Sequence, residues 1–442
     1  MHIRAALSIS FAVAVAACSA QNAGTLPVSP ASGGTQSASV AMLRQRPLLP
    51  PNVERACPDE IPSAARCFAL VRTDVLGART GAYHGADLRR AAAGAAAKFS
   101  GYEPADLQSA YALPSTTAGN GQTVGIVDAY GDPTAESDLA VYRKQFGLPA
   151  CTTKNHCLRI LNEKGQPKPL PPSDPQTNWT FEESLDLDMV SAACPNCKIV
   201  FVETDNNDWT NLHPGVKAAV GAGASVVSNS YGGSEYEPSD ADYTYPGKAV
   251  ITASAGDYYL DPEQPASLST VVAVGGTQLV KASNKRGWSE VVWNDSYDKY
   301  YLATASGCSN YVTKPSWQKD KGCATRANND VAASADCIYY VKIYDSQPYN
   351  GKKLGWTGAC GTSVASPLVA GMYGLAGNAK AVSSTYAKSI YDAAGTPALN
   401  PIVKGSNWEG GACPKAILYI CTAGPGYNGP GGWGSPNGVS AL

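Results

Sequence analysis

Histidine is scarce in this chain of 442 residues, with four in all. His2 falls in the leader, His84 in an N-terminal stretch, and His156 in the short loop between Cys151 and Cys157. Only His213, followed by Pro214, is left in the body of the main domain, and no His-Gly-Thr run surrounds it. A Ser-His-Asp relay therefore has little to stand on. Charge is short as well: 16% of residues are charged and the formal net charge is -2, which leaves no electrostatic case for nucleic acid. The apolar run at 5–17 is too short to span a bilayer. What is plentiful is glycine, proline and tyrosine (44, 31 and 24), a composition of loop-rich globular surfaces rather than helical bundles.

Arg4 followed by the 5–17 run reads as an export signal over 1–17. Val15-Ala16-Ala17-Cys18 matches a bacterial lipobox, in which Cys18 becomes the lipidated first residue. Ordinary cleavage after Ala20 is the plainer alternative. Thirteen cysteines is an odd number, and spending Cys18 on lipid leaves twelve, an even set for an oxidising compartment. Cys57/Cys67, Cys151/Cys157 and Cys413/Cys421 look like local staples. Cys194-Pro195-Asn196-Cys197 suits a disulfide better than zinc, because no second such pair exists. Residues 18–51 are rich in Ser, Ala, Gly and Pro and read as a flexible tether. Residues 52–100 carry two cysteines and an alanine-rich, helix-prone run at 86–99. They are an N-terminal extension or a short pro-segment, and both readings stay open. The length suits one large domain, 101–442, with that extension.

Within the main domain, strand-like runs at 121–128, 199–203, 225–230, 249–254 and 270–274 alternate with helix-like segments. Alternation of this kind predicts an α/β fold with a central, mostly parallel sheet flanked by helices. Sites in such sheets lie beyond the carboxyl ends of the strands, where Asp128, Tyr231 and Asp257 fall.

Cys360-Gly361-Thr362-Ser363 is a glycine-led turn that delivers a serine to the start of an apolar, small-residue helix running through Pro367. Unpaired N–H groups and the positive end of the helix dipole favour developing negative charge there. Taken alone, Thr362 or Ser363 reads as a helix cap. Two carboxylates change that reading. In 178–190, Thr180 and Glu183 form a capping-box pattern, with Pro367 expected in a first helical turn of its own helix. That leaves Glu182 spare, four residues from Asp186 and on the same helical face. A close pair of carboxyls that share protons is a base suited to a serine at acid pH. Asp257, after Ala255-Gly256, reads as a turn residue until it is set beside the other two.

The combination resembles the sedolisins, or serine-carboxyl peptidases, in their kumamolisin-like form, over 101–442. Glu182-x-x-x-Asp186, Ser228-Asn229-Ser230-Tyr231-Gly232-Gly233, Ala255-Gly256-Asp257, Val274-Gly275-Gly276-Thr277, Val292-Trp293-Asn294-Asp295, Pro315-Ser316-Trp317-Gln318 and Gly361-Thr362-Ser363 occur in the family's order. The resemblance implies a subtilisin-like fold with Ser363 as nucleophile, Glu182 as general base, Asp186 as its proton-sharing partner and Asp257 as oxyanion acid. Asp128 takes a supporting role, and Ser230, Tyr231, Gly232 and Gly233 bind substrate. It also implies a calcium site near the C-terminus, but Pro401 and Asn428 stand where aspartates belong, so no cofactor is expected.

The resulting expectation is an exported, lipid-anchored or secreted endopeptidase, monomeric, acting on protein or peptide substrates at acidic pH. Its one link to a membrane is the lipid at Cys18. The alternative is an inactive subtilisin-fold module that binds at the cell surface.

Overall fold

The computed structural model describes residues 48–58, 64–75, 100–174, 176–236, 240–408 and 413–442. The export signal, Cys18, most of the tether and the 86–99 run lie outside the described residues. Three short strands come first, β1 (Val53–Arg55), β2 (Arg66–Cys67) and β3 (Leu70–Arg72). Alternating helices and strands follow: α1 (Pro104–Ala110), β4 (Thr123–Ala129), α2 (Ala135–Gln145), β5 (Leu158–Asn162), α3 (Trp179–Ala193), β6 (Lys198–Thr204) and α4 (Trp209–Gly221). Next are β7 (Val226–Asn229), β8 (Tyr231–Ser234), β9 (Val250–Ser254), β10 (Glu263–Gln264), β11 (Val272–Lys281) and β12 (Trp288–Val292). The strands β13 (Cys308–Thr313), β14 (Thr325–Ala327), β15 (Val331–Ser334), β16 (Val341–Tyr349) and β17 (Lys352–Cys360) lead into α5 (Thr362–Ala376).

The central sheet runs β12-β11-β9-β7-β4-β6-β5, with β15 also on β11. Every pairing from β11 to β5 is parallel, and β12 closes the edge antiparallel. The α/β architecture expected from the alternation is the one observed. Strands such as β4, with the sequence TVGIVDA, are buried along almost their whole length because helices cover both faces of a parallel sheet. Their near-continuous apolar, β-branched runs follow from that double burial.

Two helices carry Glu182, Asp186 and Ser363, three of the residues expected at the site. Every residue of α3 is buried, and α5 is buried from Thr362 through Leu375. They touch where Gly371 meets Ala193: a Cβ on Gly371 would stand 2.7 Å from the Ala193 Cβ. Two local expectations change. Helix α3 starts at Trp179, entered through Asn178 at φ 51°, so Thr180 lies inside the helix and caps nothing. The capping box therefore does not form, and Glu183 points into the interior. Pro367 lies in the interior of α5 rather than in its first turn, because the helix begins at Thr362, directly after Gly361. Having no N–H, Pro367 leaves the Ser363 carbonyl without a helical donor.

The N-terminal strands are part of the body. β1 and β3 join β17 and β16 in one four-stranded sheet, and β2 joins β8 and β10 in a three-stranded one. Leu48, expected in the tether, accepts a hydrogen bond from the Tyr301 N–H at 3.0 Å. The staples Cys57–Cys67, Cys151–Cys157, Cys194–Cys197 and Cys413–Cys421 form as the spacing suggests, and Cys308–Cys323 and Cys337–Cys360 complete six disulfides among the described residues.

Candidate active site

Ser363 is the second residue of α5 and is fully buried. The turn before it needs glycine, since Gly361 has φ 100° and a Cβ there would stand 2.1 Å from the Phe68 carbonyl oxygen. Ser363 Oγ donates to Glu182 Oε2 at 2.8 Å and lies 3.0 Å from the Ser230 carbonyl. Glu182 sits in the first turn of α3 and Asp186 one turn on, both at 0% exposure. Asp186 Oδ2 accepts the Ser230 hydroxyl at 2.8 Å.

The remaining oxygens of the pair, Glu182 Oε1 and Asp186 Oδ1, are buried with no conventional donor. A carboxyl–carboxyl hydrogen bond between the two residues helps to raise the Asp186 pKa, and such a bond requires a proton. Burial comes first in pushing both carboxyls well above the usual range, and the nearby Asp128 carboxylate adds to it. Asp128, next to last in β4, is itself buried with neither oxygen hydrogen-bonded, and burial pushes it up to about 8.

Asp257 follows β9 through Gly256. Its Oδ1 accepts both the Thr362 N–H (2.9 Å) and the Thr362 hydroxyl (2.8 Å), which anchors it to the nucleophile turn. Its Oδ2 lies toward Gly361, 2.9 Å from where a Cβ would stand. Burial pushes its pKa up to about 7, so it is a neutral acid in acidic solution and can donate from that side. Ser230, Tyr231, Gly232 and Gly233 form the turn out of β7 and most of β8, whose backbone pairs on both sides, with β2 and with β10.

The serine, the carboxyl pair, the oxyanion candidate and the start of β8 thus meet at the carboxyl ends of β4, β7 and β9. Together they can take a proton from the serine, hold it in a shared carboxyl pair, and present a neutral acid to a developing oxyanion. His213 takes no part. It sits on α4 beside Trp209 and Tyr243, with Nδ1 3.1 Å from Asp242, and burial lowers its pKa.

The subtilase family matches over residues 174–394, half of the chain. The chain belongs to the subtilase family. Its relatives make it a sedolisin-like subtilase: kumamolisin from Bacillus sp. (strain MN-32) is 29% identical over 372 residues, which cover 77% of this chain and 63% of the relative. Sedolisin from Pseudomonas sp. (strain 101) is 28% identical over 374 residues, 77% of this chain and 60% of the relative. The chain therefore spans less than two thirds of the length of these two curated relatives. Among solved structures, Pseudomonas sedolisin, described as a serine-carboxyl proteinase complexed with two molecules of pseudo-iodotyrostatin, is 26% identical with a TM-score of 0.60. That likeness covers 76% of this subtilase and 95% of the sedolisin chain.

Three residues at the site of this subtilase were missed from the sequence. Ala69 donates its N–H to Glu182 Oε2 at 2.9 Å. Phe68 is buried at 2% exposure, and Arg66 pairs with Glu263. The usable signal was the apolar run Phe68-Ala69-Leu70-Val71 between Arg66 and Arg72, the pattern of a short buried strand.

The C-terminal region does not fit the calcium site that the resemblance implies. Asn428 is buried and satisfies both ends of its amide within the chain, donating from Nδ2 to the Ile402 carbonyl at 3.0 Å and accepting the Gly431 N–H at Oδ1 at 2.9 Å. An amide at 428 supplies no negative charge for a hard cation, and Pro401 has no ligating side chain. Among the described residues, no group of three or more His, Cys, Asp or Glu is arranged to hold a metal ion.

Proposed function

We propose that this subtilase is an exported serine-carboxyl endopeptidase that hydrolyses peptide bonds at acidic pH. One observation carries the reading: Ser363 Oγ donates at 2.8 Å to Glu182, a fully buried carboxyl one helical turn from the equally buried Asp186. Ser363 attacks the scissile carbonyl while Glu182 takes its proton. Relay toward Asp186 spreads the added proton over both carboxyls, and Glu182 returns one to the leaving amine. Protonated Asp257 donates to the oxyanion, held in place by Thr362. Asp128, pushed up to about 8 by burial, stays neutral in acidic solution and so puts no third negative charge beside the pair. Extended substrates pair with the backbone of Ser230, Tyr231, Gly232 and Gly233 by displacing β2, which holds Tyr231 and Gly232 in the structure.

Calcium plays no part in this proposal, given the amide at Asn428. Lipid attachment at Cys18 remains part of it, and mass spectrometry of the mature N-terminus checks that: a diacylated Cys18 is expected, and an unmodified Gln21 start contradicts it. An inactive surface module would have no use for a serine hydrogen-bonded to a proton-sharing pair. The direct test is peptide release from a denatured protein at about pH 4, near the carboxyl reference pKa. Ser363→Ala should abolish it with the melting temperature unchanged, and turnover surviving in that variant would place the nucleophile elsewhere.

A further inference from the structure

A pocket of about 490 Å³ shares no residue with the site around Ser363. The connection between β13 and β14 supplies one part of its lining, Lys319 through Gly322. Four rings supply most of the rest: Tyr391, Tyr419, Tyr427 and Trp433, each half-buried. Tyr427 lies 6.0 Å from Tyr391, 6.2 Å from Tyr419 and 5.9 Å from Trp433, centroid to centroid. Its plane is tilted by 54° to Tyr419 and 59° to Trp433, and Tyr391 stands at 82° to Trp433. The rings therefore form a concave corner of flat faces. Their hydroxyls are already spent inside the protein. Tyr391 donates to Asp330 Oδ1 at 3.0 Å, Tyr427 to the Asn328 carbonyl at 3.0 Å, and Tyr419 to Asp320 Oδ2 at 2.6 Å.

Two polar atoms of the lining are left over. The Asp320 side chain is 4% exposed, and its Oδ2 also takes the Lys314 ammonium at 2.8 Å. Its Oδ1 is buried without a hydrogen-bond partner among the described residues, and so is the Trp433 indole Nε1. A buried acceptor and a buried donor left unpaired are each costly, so the pocket favours a guest that both donates and accepts. An organic cation suits aromatic walls, but it has no acceptor for the indole. It would also meet the exposed ammoniums of Lys319 and Lys321. A wholly apolar guest leaves both atoms unpaired. A small anion without hydroxyls meets Asp320 and cannot lie flat on rings. A sugar ring has C–H faces for the aromatic corner and hydroxyls that donate to Asp320 Oδ1 and accept from Trp433 Nε1. A carboxylate on that sugar would face the two lysines, of which Lys319 also donates to the Ser316 carbonyl.

We propose that this pocket binds an acidic saccharide, with one sugar ring stacked in the corner of Tyr419, Tyr427 and Trp433, its hydroxyls on Asp320 and Trp433, and its carboxylate at Lys319 and Lys321. The walls are pinned for the task. Arg326 and Asp330 form a fully buried ion pair beside them, with the Arg326 guanidinium 5.5 Å from the centre of the Trp317 ring. Trp317 in turn packs against Tyr391, ring centres 4.5 Å apart. Cys308–Cys323 ties the 319–322 loop back to β13. Rings held in this way lose little freedom when a guest arrives. No step of the peptidase reading enters the proposal, which concerns binding alone.

The test is calorimetric titration of the full-length chain at about pH 7, above the carboxyl reference pKa, with trigalacturonate, sialyllactose, maltotriose and tetramethylammonium. At least one of the two acidic sugars should bind, more tightly than neutral maltotriose, and tetramethylammonium should not. Trp433→Phe, which keeps a ring and removes the indole N–H, should weaken binding about tenfold. Tyr427→Leu, which removes the central ring, should weaken it at least as much. Lys321→Glu, on the exposed rim, should weaken the acidic sugar several-fold and leave maltotriose unchanged. Melting temperatures of the three variants, measured alongside, show that each is folded. Binding of neither acidic sugar, equal affinity for maltotriose, binding of tetramethylammonium instead, or affinities that ignore Trp433→Phe and Lys321→Glu would each overturn the proposal. Peptide release is not part of the readout, so failure here leaves the peptidase reading standing, and failure of that reading leaves this one untouched.

Discussion

Two buried acids of this subtilase are held in opposite ways. Asp330 and Glu182 are equally inaccessible, each at 0% exposure. Asp330 faces Arg326 through two hydrogen bonds, at 2.7 and 3.1 Å, and also accepts the Ala273 N–H and the Tyr391 hydroxyl. Charge there meets charge: burial alone would lower the Arg326 pKa, but Asp330, with Tyr391 and Tyr427, holds it above its usual value. Glu182 shares α3 with Glu183, Asp186 and Asp188, all buried, and burial pushes all four carboxyls well above the usual range. A cation beside an acid fixes the acid in one state and makes it structural. A buried acid left among other acids keeps its proton, and a proton is what a serine mechanism without histidine has to move.

Breaking that contrast from the structural side should have the largest effect. Arg326→Leu strands a buried carboxylate and should cost about 3–5 kcal/mol in denaturant unfolding, whereas Arg326→Leu with Asp330→Leu should recover much of the loss. On the catalytic side, Asp257→Ala should lower kcat by about 10²–10³-fold, as for loss of an oxyanion donor, and should also lower the melting temperature, because it strands the buried Thr362 N–H and hydroxyl. A smaller, pH-dependent effect is expected for Glu183→Gln. The folded chain keeps protons that the unfolded chain releases above about pH 4, over a window reaching about 8 for Asp128 and Glu203 and about 6 for Asp132. Stability therefore falls as pH rises through that window. Glu183→Gln removes one such contribution, so its melting temperature should match the parent at about pH 4 and exceed it at about pH 7. The smallest effect is expected from a chelator, which should leave the melting temperature unmoved, because Asn428 closes its own hydrogen bonds without a cation.

Much of the catalytic body was legible because its signals are local. β4, β6, β7, β9 and β11 all coincide with short apolar runs, and Glu182, Asp186, Asp257 and Ser363 lie in compact motifs at predictable element ends. The N-terminal strands were not, because β2 and β3 are two and three residues long and owe their conformation to partners far along the chain, β8 and β17. The capping box failed for a similar reason. Thr180 and Glu183 have the right spacing, but packing draws Glu183 into the interior and Asn178 starts the helix. Cys337–Cys360 pins the strand before Ser363 across a separation of 23 residues, too far for neighbouring-pair arithmetic to find.

The most direct test of the central claim is the pH profile of peptide release from a denatured protein by this chain, with Glu182→Gln alongside. Activity should lie on the acid side and fall as pH rises through about 7, where Asp257 loses its proton. Glu182→Gln should be inactive throughout, with an unchanged melting temperature. Activity that persists above that pH, or survives in Glu182→Gln, would contradict a serine driven by carboxyl groups.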